Sequence, residues 1–252
     1  MDVTLLGSGD ASGVPPLTLS IDDCDADARR RRSGLLVETG DRTVLFDASP
    51  DLPEQCREAG IDHLDAVFLT HWHHDHAGGV EELGIVSSAL EFDLYLTETA
   101  ADHLQTERPH LTDSFDDRRL EHGDTVHVGD LEVVPFPVAH GRPEFDTLGF
   151  AIHHDGSKVV YAPDIEQFRP DLPSGDAYRN SDLLVVEGAA YYRPDIYDAD
   201  VDFETMIDEA NADRTVLTHL SEAYLGLSTE ELERHAEAVG YELGADFATY
   251  SV

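Results

Sequence analysis

The sequence predicts a mixed α/β chain folded as one domain over residues 1–252. Three observations carry that reading. Short β-rich apolar runs alternate with amphipathic stretches, the pattern of strands interleaved with helices. Two junctions between runs, "ETGDRTVL" and "HHDGSKVV", hold a Gly-Asp or Asp-Gly pair of the kind that closes a hairpin. Finally, the chain has 252 residues and is 41% hydrophobic. A domain of that size buries roughly three quarters of its unfolded surface, so its core needs no covalent staples.

The strand candidates, in order, are residues 3–6, 35–38, 43–46, 66–69, 94–96, 131–136, 149–152, 158–161, 183–186 and 215–217. The helix candidates are 52–59, 79–90, 98–104, 203–210 and 229–239. The last begins "STEELERHAEAVG", with Ser228 as N-cap, Glu231 three residues on and Gly240 past the end. No Ser/Gly linker or short-period repeat interrupts the pattern. "IDDCDADARRRRS" reads as a solvated loop in which Arg29 to Arg32 balance neighbouring aspartates.

Composition narrows the setting. There are 53 acidic residues against 16 basic ones, a formal net charge of −37, and Lys158 is the one lysine. Such self-repulsion opposes folding in dilute buffer, whereas about 1 M salt screens charges to within about 3 Å. This balance is similar to that of proteins from salt-in halophiles. A negative surface repels phosphate backbones, which disfavours nucleic acid as a partner. No apolar run reaches the length of a membrane span, and "MDVTLLGSGD" lacks a basic-then-apolar leader, so a cytoplasmic protein is expected. Cys24 and Cys56 are expected as free thiols.

The stretch "LTHWHHDHAGG" packs four histidines and one aspartate into six positions after the apolar run "DAVFLT". A strand end turns alternate residues to one side, so His71 and His73 can address one spot. Asp75 and His76, where the chain turns into a helix, face a neighbouring one. Neutral imidazoles and carboxylates are ordinary Zn²⁺ ligands, and a dication removes the repulsion that makes the cluster costly. The alternative is a run of surface histidines, but this run abuts a strand rather than a terminus.

H-x-H-x-D-H after an apolar strand resembles the signature of the metallo-β-lactamase superfamily of metal-dependent hydrolases. Further matches follow in order: Asp47 after Val44-Leu45-Phe46, His140 after "LEVVPFPVA", Asp164 after "KVVYAP" and His219 after "RTVLT". The resemblance implies an α+β fold, the αβ/βα sandwich, in which two mixed β-sheets are flanked by helices. It also implies two divalent ions at one edge, zinc foremost, with Mn or Fe as alternatives. His71, His73 and His140 would hold one ion, and Asp75, His76 and His219 the other. Asp164 would bridge them, and Asp47 would orient a ligand imidazole. His74 and Trp72 occupy variable positions, His74 pointing away. Two dications about 3.5–4 Å apart share a hydroxide, polarise the bond under attack and stabilise the developing charge. Asp75 is the catalytic candidate, orienting the hydroxide or passing on its proton.

"LLGSGDASGVPP", "RRRRSGLLVETGDRTVLFDASPDL" and "VAHGRPEFDTLGFAI" are similar to the branch holding ribonuclease Z-like nucleases and phosphoribosyl cyclic phosphate phosphodiesterases. "ASPDLPEQ", "YAPDIEQF" and "DLLVVEGAAYY" also look similar to the pyrroloquinoline-quinone biosynthesis protein B. These resemblances imply a phosphodiesterase on a small or cyclic substrate. The alternatives are a nuclease, a carboxylic-ester, lactone or thioester hydrolase, and a metal-binding accessory protein in cofactor biosynthesis. A small-molecule partner is favoured over nucleic acid, no membrane is expected, and a homodimer is allowed.

Two departures stand out. Cys24 alone cannot build the four-ligand structural zinc site of the cyclic phosphodiesterases. "IYDADVDFETM" also lacks their acid–base histidine. Arg142 and Arg193 are candidate phosphate contacts, although in so acidic a chain each equally suits a salt bridge. Gly7, Gly9 and Gly13 either bring a loop close to the site or make an ordinary turn. Glu187, Tyr191 and Tyr192 either line the pocket or, for the tyrosines, pack in the core.

Overall fold

A computed structural model describes residues 1–19, 29–140, 146–193 and 202–252, and its strands fall into two sheets. The first contains β1 (Asp2–Gly7), β2 (Gly34–Glu38), β3 (Thr43–Phe46), β4 (Ala66–Phe68), β5 (Asp93–Thr97) and β6 (Asp116–Leu120), with β15 (Ala248–Ser251) beside β1. The second contains β8 (Leu131–Ala139), β9 (Thr147–His154), β10 (Ser157–Ala162), β12 (Leu183–Glu187), β13 (Thr215–Thr218) and β14 (Glu242–Leu243). The short β7 (Val126–Val128) and β11 (Gln167–Phe168) pair with β8. Each sheet is an antiparallel meander of three strands followed by three parallel ones.

The predicted runs become strands because both faces of them are covered. Between the sheets lie Val3, Leu35, Phe46 and Phe68 against Phe150, Ile152, Val159 and Val185. The Phe46, Phe68 and Phe150 rings sit 5.2–5.6 Å apart there. Outside the first sheet, α1 (Leu52–Ala59), α3 (Val80–Val86) and α4 (Glu98–Glu107) contribute Leu52, Leu83 and Leu104 to a second apolar layer. Outside the second, α5 (Ala189–Tyr192), α6 (Phe203–Ala210) and α8 (Thr229–Ala238) contribute Ala190, Ile207 and Ala236. The result is the expected four-layer αβ/βα sandwich.

Both hairpin signals are realised. Asp155 and Gly156 have φ of 50° and 87°, the mirror-image turn that matches strand twist. Ser228 and Glu231 form the predicted capping box on α8. Elsewhere the boundaries moved. Gly79 is the N-cap of α3, which ends at Val86 with Ser87 as its C-cap rather than reaching residue 90. The fourth strand ends at Phe68, before Leu69. β6, "DDRRL", carries no apolar alternation because it is an edge strand, its arginines tied to Asp93, Glu98, Asp116 and Asp117.

The arginine cluster departs from its solvated-loop reading. Arg30 is buried and pairs with Glu222 at 2.9 Å. Arg31 reaches Glu54, Glu58 and Asp246, and Arg32 reaches Asp51. These partners are distant in sequence, so the arginines pin the segment to the body. The glycines serve the same packing: a Cβ on Gly7 would lie 2.0 Å from the Arg32 carbonyl oxygen, and one on Gly9 2.9 Å from Arg30 Cβ. Cys56 is a half-buried free thiol whose pKa burial pushes up. Cys24 lies outside the described residues.

Candidate metal centre

The site residues follow the carboxyl ends of strands at one edge of the sandwich. Residues 71–76 follow β4 and lead through α2 (His74–Ala77), while His140 follows β8, Asp164 follows β10 and His219 follows β13. The structure gathers His71, His73, His140 and Asp164 into one group and Asp75, His76, Asp164 and His219 into another, with possible ligand atoms within 4.8 Å of one another in each. Asp164 belongs to both. Its Oδ1 is 2.9 Å from His140 Nδ1, and its Oδ2 is 3.6 Å from His71 Nε2 and 3.7 Å from His76 Nε2. His73 and His140 are partly buried and the other five are buried, so what opening the group has lies on their side. His74 is exposed, as expected.

Hydrogen bonds behind the rings set their direction. Asp47 accepts from His76 Nδ1 on Oδ2 at 2.8 Å, and from the Thr70 backbone and hydroxyl on Oδ1. Because the Thr70 hydroxyl donates to Asp47, it accepts from His71 Nδ1 at 3.0 Å. Both rings therefore donate through Nδ1 and turn Nε2 towards the carboxylates. Buried His71 Nε2 has no hydrogen-bond partner, and buried His76 Nε2 lies 3.1 Å from Asp75 Oδ2. An orphaned imidazole lone pair on His71, among ring nitrogens crowded against carboxylates, suits a cation, so the donor set fits a metal. Glu187, fully buried, faces His219 Nδ1 at 3.1 Å and accepts from Ala189 N.

The electrostatics agree. Burial holds His71 well below its ordinary pKa, reinforced by the neighbouring imidazoles, so it stays a neutral donor. Burial also opposes a cation on His76, yet Asp75 and Asp47 overcome it and push the ring up to about 10. His219 is raised in the same way by Glu187 and Asp164. Burial would raise Asp75, but His76 and His219 hold its carboxyl well below the usual range. In the metal-free chain, protons thus take the place of positive charge that the carboxylates demand.

Among the other predicted residues, Arg193 follows α5 and its backbone N–H bonds Ala189 O at 2.8 Å. Arg142 lies outside the described residues. The hydroxyls of Tyr191 and Tyr192 donate to His235 O and Leu232 O of α8, so these rings pack between helices. Glu187 stands behind His219 instead of lining a pocket. Sequence reading missed its role and that of Thr70, and the adjacency of Thr70 to His71 was the available signal.

Residues 42–220 match the family model described as the beta-lactamase superfamily domain. The chain belongs to that superfamily. The solved structure of a diphosphatase of the PhnP family is similar to this superfamily member at 25% identity and a TM-score of 0.81, covering 99% of this chain and 97% of that one. An octanoyltransferase of Porphyromonas gingivalis is 28% identical over 247 residues, 92% of this chain and 48% of that protein. Ribonuclease Z of Methanopyrus kandleri is 32% identical over 122 residues, 46% of this chain and 43% of that protein. The chain thus spans about half the length of either curated relative. No helix among the described residues is long and apolar enough to cross a membrane.

Proposed function

We propose that the chain is a dinuclear hydrolase that cleaves a small or cyclic phosphodiester in a salt-rich cytoplasm. The observation that carries this reading is Asp164, which belongs to both donor groups, its Oδ1 facing His140 and its Oδ2 facing both His71 and His76. His71, His73 and His140 would hold one ion, Asp75, His76 and His219 the other, and zinc suits this imidazole–carboxylate set best. When bound, the pair supplies Lewis acidity to the phosphoryl group and lowers the pKa of the attacking water.

The chain's own groups do the rest. Asp47, Thr70 and Glu187 fix the rings. Buried Asp75, held ionised, orients the nucleophile. The substrate enters on the side of His73 and His140, which are less completely buried than the other donors. The PhnP-family likeness supports phosphorus chemistry, and the acidic surface favours a small substrate over a polynucleotide.

Bis-p-nitrophenyl phosphate, offered in molar KCl with Zn²⁺ or Mn²⁺, tests the reading. Turnover is expected, with a loss of roughly a thousandfold or more in His71→Ala and Asp164→Ala. The match of nearly the whole chain to half of an octanoyltransferase favours a second reading, an acyl ester or thioester hydrolase. Release of octanoate from an octanoyl thioester, with no phosphodiester turnover, would decide for it.

A further inference from the structure

The chain leaves β13 at His219, a buried residue at φ 58°. A non-glycine backbone keeps that left-handed conformation only where its surroundings fix it. Leu220, next in the chain, is fixed on both sides by the loop that leaves β1. Its N–H donates to the Ser8 carbonyl at 2.9 Å, and its own carbonyl accepts from Asp10 N–H at 3.0 Å. Gly9 lies between these bonds, bridging to Leu220 and to Arg32, and its N–H donates to the Arg31 carbonyl at 2.7 Å. A Cβ on Gly9 would stand 2.9 Å from both Arg30 Cβ and the Arg31 carbonyl oxygen, so the loop fits this gap only as glycine. Arg30 ties the parts together. Its Nη1 donates to Ser8 Oγ at 2.9 Å and to the Gly244 carbonyl at 2.6 Å, and its Nε donates to Glu222 Oε1 at 2.9 Å, just past His219.

His219 belongs to one donor group only, with Asp75, His76 and Asp164. We propose that residues 8–10, seated by Gly9 and tied by Arg30, form a clamp that sets His219 for the second ion. Glu187 fixes the ring and the clamp fixes the backbone, so a loop of the first sheet governs how tightly a ligand of the second sheet holds that ion. Gly9 and Arg30 are positioning residues, acting through His219. The inference rests on the dinuclear reading and extends it, since the ion held by His71, His73 and His140 should not depend on the clamp.

Protein saturated with Zn²⁺ in molar KCl and dialysed against graded chelator tests it through the zinc retained. The wild-type chain should hold two equivalents at a chelator level where Gly9→Ala holds one, its second ion being weakened about tenfold or more. His219→Ala should also hold one, and adding Gly9→Ala to it should remove no further zinc, because both changes act on the same ion. With Co²⁺ in place of zinc, the two single variants should share one visible spectrum. Ser8→Ala, which takes one hydroxyl from the clamp, should weaken the same ion about threefold, and it keeps the test open where Gly9→Ala does not fold. Ile207→Ala, buried on α6 outside the second sheet, should lower the melting temperature and keep both ions. Clamp variants that hold both ions as tightly as the wild type, that release both together, or that lose zinc only as Ile207→Ala does overturn the clamp and leave the dinuclear reading standing. A wild-type chain that holds fewer than two equivalents overturns both.

Discussion

Asp47 takes a left-handed backbone conformation, φ 64°, directly after β3, and His219 does the same after β13 at φ 58°. From there Asp47 serves His76, both Thr70 donors and the Tyr161 hydroxyl with one carboxylate. Asp47→Asn would set an amide against these donors, and metal affinity should fall about 10–100-fold. Competition with a chromogenic chelator measures it. Glu187→Gln should weaken the grip on His219 similarly. Because His76 is pushed up to about 10, the metal-free site is protonated at neutral pH and binding must displace that proton. Apparent affinity should therefore rise with pH towards that value and fall below neutrality, with proton release detectable in weakly buffered titrations. The seven clustered residues were legible because the chemistry demands those residue types at those strand ends. Glu187 and Thr70 were not, since a strand-end Glu or Thr acquires a role only from the ring that folding brings to it.

At the scale of elements, buried strands announced themselves through runs such as "GLLVE" and "TVLF". Edge strand β6 did not, since it has one packed residue, Leu120, among exposed charges. The arginine segment was misread for a related reason: a charge run usually faces solvent, and only its partners far along the chain show otherwise. Arg30 reaches Glu222, Ser8 and the Gly244 carbonyl from a buried position. Arg30→Met would strand the Glu222 carboxylate, at a cost of about 3–5 kcal/mol. Urea unfolding in molar KCl reads that loss, and adding Glu222→Gln should recover part of it. Gly7→Ala forces the N-terminal loop away from Arg32 and should cost about 1–3 kcal/mol by the same measurement.

For the molecule as a whole, the net charge of −37 predicts steep salt dependence. Raising KCl from about 0.1 M to about 3 M should increase the melting temperature, and sucrose of matched osmolality should do less if screening is the cause. The overall architecture was legible through family resemblance, but the shared plan of the two sheets was not, because their strands have no sequence in common. That plan places every donor group across the midline. His71 and His73 meet His140 and Asp164, while Asp75 and His76 meet Asp164 and His219. The crossing between halves runs through residues 121–125, all exposed. A backbone severed there would give two fragments, each carrying part of both coordination sets and neither able to bind alone. The ions would then act as a clasp across the cut, and stripping them should lower the melting temperature of the nicked protein more than that of the intact chain, the apolar layer between the sheets still holding the fragments together.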